Sequence, residues 1–195
     1  GDFEILGTFK VGYDINDTLV FIGNVTVTDT LTGNIYGGGY GIYKLKVIGD
    51  LTNNGVIKDD YDLDAILNPD DFNILITGNI FDHGDWKNNF ITLIGTNTQN
   101  IFQNYDKKFD CYIISQKSGG SIIANTDISV TKDFNLNGSP LNMQNNVLSI
   151  NGWLYNGTLM DAELHNGFLQ NITSLNSLRI TGTVTVDNNN VFQNA

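Results

Sequence analysis

Two stretches of the chain match each other in residue type at five of their seven positions: Gly49-Asp50-Leu51-Thr52-Asn53-Asn54-Gly55 and Gly78-Asn79-Ile80-Phe81-Asp82-His83-Gly84. Each begins and ends with glycine, has Asp or Asn at its second position and has an apolar residue at its third. A shorter version follows at 152–157. Self-similar units of this kind are typical of repeat architectures, in which each unit is one small piece of supersecondary structure.

The core of this motif is a phrase that recurs along the whole chain, in which an apolar run is followed by Gly, any residue and another apolar residue. Its copies are Ile5-Leu6-Gly7-Thr8-Phe9, Phe21-Ile22-Gly23-Asn24-Val25, Val47-Ile48-Gly49-Asp50-Leu51, Ile76-Thr77-Gly78-Asn79-Ile80, Leu93-Ile94-Gly95, Ile150-Asn151-Gly152-Trp153-Leu154 and Ile180-Thr181-Gly182-Thr183-Val184. Where copies are adjacent, they lie roughly 16 to 30 residues apart, which suits one coil of a β-solenoid.

The physical basis of such a coil is that two or three short strands cannot bury their apolar side alone. Stacking the coils at ~4.8 Å pairs each strand with its neighbour and makes a continuous core. Gly and Asn tolerate the positive φ that corners need, and stacked Asn side chains can form hydrogen-bond ladders. The sequence therefore predicts an all-β, right-handed parallel β-solenoid (β-helix) of about seven or eight coils, roughly 35 Å long. The alternative is a β-sandwich.

The apolar residues of the phrase are the predicted core. We expect the following side chains to point inward: Ile22, Val25, Ile48, Leu51, Ile76, Ile80, Ile150, Leu154, Ile180 and Val184.

Composition agrees with strands and limits the function classes. Apolar residues are 41% and charged residues 16%, while Asn is roughly one residue in seven, so helical patterns are interrupted almost everywhere. The formal net charge of −11 and the scattered Lys and Arg residues argue against nucleic-acid binding. No apolar run approaches the ~18 residues of a membrane span, so we expect no membrane insertion. Cys111, in an apolar run, is expected to be a buried thiol.

The domain organisation follows from the repeat. We expect residues 1–195 to form a single solenoid domain with an acidic loop insertion near 58–72, where Pro69 and several Asp residues break the repeat. Both termini read as strand without a polar capping element, so the chain is expected to be a fragment of a longer one. Each end should then abut the rest of the parent chain or a neighbouring subunit.

The middle of the chain resembles a known family. Residues 86–152 contain Trp86-Lys87-Asn88-Asn89, the run Gly95-Thr96-Asn97-Thr98-Gln99-Asn100-Ile101, the corner Lys117-Ser118-Gly119-Gly120 and the close Leu148-Ser149-Ile150-Asn151-Gly152. In this order they resemble the Gly/Asn/Thr-rich repeats of large secreted surface proteins of Bacteroidota. The resemblance implies an adhesin-like protein at the cell surface, exported by the type IX secretion system. It carries over no catalytic residues.

One acidic group suggests a metal. Asp60, Asp62 and Asp64 alternate as the first ligands of a calcium loop do. The glycine expected at the sixth position is Ala65 and the twelfth residue is Asp71, so the stretch departs from an EF-hand. Calcium is therefore the one candidate cofactor, and a solvated loop is the alternative.

Other side chains are candidates for binding or remain unassigned. The aromatic residues that are candidates to stack on surface glycans, if exposed, are Trp86, Trp153, Tyr36, Tyr40 and Tyr43. Packing in the core or at the corners is the alternative, and it is the more common role of Trp and Tyr in a solenoid. His83 and His165 lack the spacing of zinc ligands. We expect an extracellular structural or adhesive segment with no catalytic residues. The alternative is a polysaccharide-binding or polysaccharide-degrading β-helix, such as a lyase or a phage tailspike. A lyase groove needs Asp with Arg or Lys on neighbouring coils, and Arg179 is the only arginine.

Overall fold

The computed structural model describes residues 1–12, 18–33, 42–59, 71–187 and 189–193, with the backbone alone for Ile42, Tyr43 and Asp71. Throughout these ranges the chain forms strands, turns and bends, without a helix. The strands are β1 (Phe3–Ile5), β2 (Thr8–Val11), β3 (Thr18–Ile22), β4 (Val25–Val27), β5 (Thr30–Gly33), β6 (Ile42–Ile48), β7 (Leu51–Asn53), β8 (Val56–Asp59), β9 (Asp71–Ile76), β10 (Ile80–Asp82), β11 (Asp85–Lys87), β12 (Phe90–Gly95), β13 (Gln99–Gln103), β14 (Tyr112–Lys117), β15 (Ile122–Ala124), β16 (Ile128–Val130), β17 (Phe134–Asn135), β18 (Pro140–Asn142), β19 (Val147–Ile180), β20 (Val184–Val186) and β21 (Val191–Phe192).

These strands pair in parallel in three ladders, which form three faces of each coil. Face A consists of β3, β6, β9, β12, β14 and β17, face B of β1, β4, β7, β10, β13, β15 and β18, and face C of β2, β5, β8, β11 and β16. The chain passes through B, C and A in turn and then returns to B one coil further along. The protein is thus an all-β parallel solenoid of about 7 turns, as the repeat predicts, and the sandwich alternative is wrong.

The long strand β19 continues all three faces in one run of 34 residues. It pairs with β16 at Leu148, with β17 at Leu154 and with β18 at Leu159, so it bends around corners instead of running straight. Positive φ marks the bends within the run. The residues concerned are Asn156, Asp161, Gly167, Asn171 and Asn176. Asn and Asp tolerate this left-handed backbone better than other side chains, which explains their frequency here.

The core runs as columns of apolar side chains along the inside of each face. On face A, Leu45, Ile74, Ile91 and Ile113 occupy successive coils and are all buried. Successive side chains of a strand point to opposite sides of the sheet, so every second residue points inward. Each inward position forms one apolar column along the solenoid, and together these columns fill the interior. Every coil therefore buries its apolar side against the next one.

Glycine and Asx residues build the corner between faces A and B. A Cβ atom added to Gly49 would lie 2.3 Å from the carbonyl oxygen of Gly23, and Gly49 has φ +153°. The next position carries a ladder of Asx side chains. Its members are Asp2, Asn24, Asp50, Asn79 and Asn100. On the next coil Ile123 occupies this position, and Asn125, at the other end of β15, donates a side-chain hydrogen bond to Asn100. Asp50, for example, accepts the backbone N–H of Asn79 at 2.6 Å. Most of these bonds join a side-chain oxygen to a backbone N–H group, and the side-chain to side-chain bond that stacked Asn residues can form occurs between Asn100 and Asn79.

The predicted inward register is correct at Val25, Leu51, Ile76, Ile80, Ile150 and Leu154, which are buried, while Val184 is half-buried. It is wrong at Ile22, Ile48 and Ile180, which are exposed. Val47 pairs with Ile76, so the inward residue lies two positions before the corner glycine. Ile22 and Ile48 directly precede the glycine and therefore face outward. Ile180 is an exception to this rule: it lies two positions before Gly182 and is nevertheless exposed, near the C-terminal end.

The phrase also occupies more than one corner. Gly49 and Gly78 lie between faces A and B, whereas Gly7 lies between faces B and C, and Gly152 lies between faces C and A. The phrase therefore marks a type of corner and not a fixed point of the coil.

Three segments outside the description, 13–17, 34–41 and 60–70, each connect a face C strand to the following face A strand. Most of the predicted acidic insertion near 58–72 falls on the third segment and so lies outside the described residues.

Candidate functional site

The outward side of face A carries aromatic side chains on neighbouring coils. Phe90 stacks on Tyr112 with ring centroids 5.3 Å apart, and Trp153 packs on Phe168 at 5.1 Å. Tyr112, Trp153 and Phe168 are exposed. The coil between the two aromatic pairs has Asp133 at this position. The aromatic ladder is therefore interrupted once.

Strand register explains why Tyr112, Asp133 and Trp153 lie next to one another. Ile113 pairs with Phe134, which pairs in turn with Leu154, and all three side chains point into the core. The residue before each one must point outward, which brings Tyr112, Asp133 and Trp153 onto consecutive coils. The backbone N–H of Trp153 donates a hydrogen bond of 2.8 Å to Oδ1 of Asp133.

Polar side chains surround the interruption. The Lys132 ammonium lies 5.1 Å from the centre of the Tyr112 ring. On the other side, Asn135 pairs with Tyr155 across neighbouring coils. Burial raises the pKa of the Tyr155 phenol, the nearby charge of Asp133 raises it further, and a hydrogen bond with Asn135 opposes the shift. The phenol is therefore protonated at neutral pH.

We call these six residues the face A cluster: Tyr112, Lys132, Asp133, Asn135, Trp153 and Tyr155. Chemically, the cluster offers aromatic ring surface beside a carboxylate, an amide, an ammonium and a neutral phenol. Such a mixture of flat apolar surface and hydrogen-bonding groups suits a ligand with an apolar body and a polar rim. It is the candidate functional site of the described part of the chain.

The sequence identified only part of this cluster. Trp153 was predicted as an exposed aromatic and is one, with 38% of its surface accessible. Trp86, the other candidate tryptophan, is 1% exposed and packs edge-on against Phe109, so it follows the core-packing alternative and cannot stack on a ligand. Tyr36 and Tyr40 lie outside the described residues, as does the side chain of Tyr43. The spacing of Tyr112, Asp133 and Trp153 contains no local motif that would have revealed them.

The predicted calcium ligands Asp60, Asp62 and Asp64 also lie outside the described residues, so calcium binding stays a prediction. Across the described ranges, no three His, Cys, Asp or Glu side chains come together in a way that could hold a metal ion. His83 lies in an exposed turn, with Nδ1 3.0 Å from Oδ1 of Asn104. His165 is likewise exposed.

A column of polar side chains inside the solenoid was not predicted. Asn53, Asp82 and Gln103 are buried on successive coils of face B. Asn53 donates from Nδ2 to one oxygen of Asp82 at 3.4 Å, and Gln103 donates from Nε2 to the other at 3.2 Å. Burial nevertheless raises the pKa of Asp82 to about 6. Asn53 and Asp82 share the fifth position of the two matching stretches, which is the one sequence feature that could have indicated this column.

Cys111 is buried, as the sequence suggested, and Arg179 lies on the surface. Cys111 is fully buried, and burial raises the pKa of its thiol well above the ordinary value, so it is a packed, protonated side chain. Arg179 forms an exposed ion pair with Glu163 at 3.1 Å. Its guanidinium, one of the cations that a lyase groove could use, is therefore engaged in a surface contact.

The fold and the cluster together define the class: a parallel β-solenoid with one mixed aromatic and polar site on an outer face. Comparisons with protein families, with characterised proteins and with solved structures found no match to this chain. In the part of the chain that the structure describes, no helix is long and apolar enough to cross a membrane.

Proposed function

We propose that this chain is an extracellular structural and adhesive segment of a bacterial cell-surface protein, a stiff stalk without catalytic activity. The observation that carries the proposal is the continuity of the core. The inward column of face A continues from Leu45 through Phe134 to Leu154 without an interruption. A solenoid in which every coil packs on the next resists bending, and a stalk requires this property.

The resemblance of residues 86–152 to Bacteroidota surface repeats supports secretion and an adhesin-like role, with type IX export as the proposed route. We propose as partners the rest of the parent chain or neighbouring subunits at the two ends, together with surface glycans. The alternative function is a polysaccharide-binding or polysaccharide-degrading β-helix. The engagement of Arg179 with Glu163 favours the stalk over a lyase.

Antibody labelling of intact source cells tests the proposed location. We expect antibodies raised against the purified chain to label unpermeabilised cells. A cytoplasmic protein of known location, probed in the same cells, controls for leakage. Labelling that appears only after permeabilisation would contradict the proposed surface location.

A depolymerisation assay tests the proposed absence of catalysis. The purified chain is incubated with acidic and neutral polysaccharides, and new reducing ends and unsaturated products are measured. We expect neither to rise above the buffer control. Release of fragments from any polysaccharide by the native protein, but not by the heated protein, would contradict the proposed stalk and support the polysaccharide-degrading alternative.

A further inference from the structure

The interruption of the aromatic ladder on face A is a slot, and we infer that it binds one ring of a neutral polysaccharide between Tyr112 and Trp153. This inference rests on the proposed function, because it assigns a site and a sugar class to the proposed glycan partner, and its test is separate from the tests of the stalk.

The spacing of the two rings suits one inserted sugar. Tyr112 and Trp153 lie two coils apart, which corresponds to about 9.6 Å along the solenoid axis. Rings in stacking contact have centroids about 4.5 Å apart or more. One ring inserted midway would therefore touch both aromatics.

The two ring faces that border the slot are not covered by another aromatic ring. Phe90 occupies the opposite side of Tyr112, and Phe168 occupies the opposite side of Trp153. In an unbroken aromatic ladder both faces of every ring are covered, and only the edges reach a ligand. The coil of Asp133 is therefore the place where two ring faces of this ladder are directed toward each other across one coil.

Lys132 lies over the Tyr112 ring in the absence of ligand. A cation–π contact at an exposed site is weak, so a ligand can displace the ammonium at small cost. The displaced ammonium then becomes a hydrogen-bond donor at the rim of the slot. Asp133 on the floor and Asn135 with Tyr155 at the side supply further polar groups.

The ligand chemistry follows from these groups and from the charge of the chain. A pyranose ring has C–H groups on its two faces and hydroxyl groups around its rim, which matches aromatic walls with a polar border. A nucleobase would also stack, but it arrives on a chain of phosphates. The net charge of −11 repels such polyanions, and acidic polysaccharides for the same reason. A neutral sugar chain is the occupant that fits both the slot and the charge.

The test is native affinity electrophoresis of the purified chain. The gels contain mixed-linkage β-glucan, galactomannan, xylan, dextran, alginate or polygalacturonate, and a separate titration uses oligothymidylate. The variants are Tyr112→Ala and Trp153→Ala. Phe102→Ala is the matched control, because Phe102 stacks on Phe81 at 4.9 Å on face B, away from the slot. Circular dichroism establishes that each variant is folded.

We expect at least one neutral polysaccharide to retard the wild type and Phe102→Ala equally. Tyr112→Ala and Trp153→Ala should each bind that polysaccharide about tenfold more weakly. The emission of the wild type should also shift to shorter wavelength on binding. Trp86, the other tryptophan, is buried, so this shift reports on Trp153. Because the shift is measured on the wild type, it tests the inference even if a variant fails to fold.

Three results would overturn the inference. The first is that no neutral polysaccharide retards the wild type. The second is retardation that Tyr112→Ala and Trp153→Ala leave unchanged, with no emission shift. The third is binding confined to the acidic polysaccharides or to oligothymidylate. Each of these is independent of the cell labelling and depolymerisation results, which test the stalk.

Discussion

Individual buried polar residues set the chemistry of the solenoid interior. Asp82 has no accessible surface, and Asn53, Gln103 and the backbone N–H of Gly84 all donate hydrogen bonds to it. These bonds do not fully replace water, because burial still raises the pKa of Asp82 from 3.8 to about 6. An ionised Asp82 therefore costs stability at neutral pH.

The sign of the pH dependence follows from this shift. Between pH 4 and 6 the native state holds a proton on Asp82 that the unfolded chain releases, so this group's contribution to the unfolding free energy falls as the pH rises. Two pKa units correspond to about 3 kcal/mol, which is an upper bound. We expect Asp82→Asn to be more stable than the wild type at pH 7, by up to this amount. The gain should be much smaller at pH 4.

Urea denaturation at both pH values measures this difference. Asp106→Asn, which removes one exposed carboxylate, controls for the change in net charge. In Asp82→Asn the oxygen of the new amide can still accept from Asn53. Gln103 can turn its own amide toward the new one only by giving up the hydrogen bond that its Oε1 accepts from the backbone N–H of Ser129, and this loss keeps the gain below the upper bound. A variant less stable than the wild type at pH 7 would show that the ionised carboxylate stabilises the column.

Corner glycines are required at the scale of the structural element because backbones of neighbouring coils approach closely there. At Gly49 a side chain would meet Gly23, and at Gly84 it would meet the carbonyl oxygen of Gly55 at 2.2 Å. Backbone atoms cannot move aside without breaking the ladder of parallel hydrogen bonds. The repeated glycine is therefore a packing requirement of stacked coils as well as a matter of φ.

Gly49→Ala tests this requirement, with Gly7→Ala as its matched control. Both glycines belong to copies of the same phrase, but a Cβ atom at Gly7 has no other atom within 4 Å. We expect Gly49→Ala to lower the unfolding free energy by about 1–3 kcal/mol, which is the typical cost of overpacking. Gly7→Ala should change it by less than about 0.5 kcal/mol. Equal effects in thermal and urea denaturation would contradict the close-packing explanation.

At the scale of the whole molecule, the described solenoid has open strand edges at both ends, and its N-terminal end is apolar. Among the described residues, β1, β2 and β3 each pair with a strand on one side only, as do β20 and β21 at the other end. Phe3, Phe9 and Phe21 come from the three faces of the first coil and pack together, with ring centroids 4.4 and 5.9 Å apart. Phe3 nevertheless remains exposed. Open strand edges beside apolar side chains are templates for pairing with another chain.

We therefore expect the isolated chain to self-associate, with a mass in static light scattering that rises with concentration. Ile22→Lys places a charge at the open edge, on a side chain that is 67% exposed, and should shift the molecule toward monomer. Tyr105→Lys is the control, because it replaces an even more exposed apolar residue on a central coil. A wild type that stays monomeric at high concentration would contradict this prediction.

The sequence by itself determined the solenoid, its approximate number of coils and the use of Gly and Asx at corners. These features are local: a strand of three to six residues needs a corner, and only a few residue types tolerate corner backbone. The match between Asn53 and Asp82 even contained the pairing register of that coil, since Leu51 pairs with Ile80.

Only the tertiary structure decided which residues of neighbouring coils meet. The phrase occurs at different corners, and the coil from Leu51 to Ile80 is longer than the coil from Ile113 to Phe134. A position in the repeat therefore does not identify a position on a face. Tyr112, Asp133 and Trp153 come together because the buried residues that follow them, Ile113, Phe134 and Leu154, pair in register. Trp86 is buried because it occupies the inward position of β11. Such contacts depend on the exact number of residues in each coil, which no local pattern encodes.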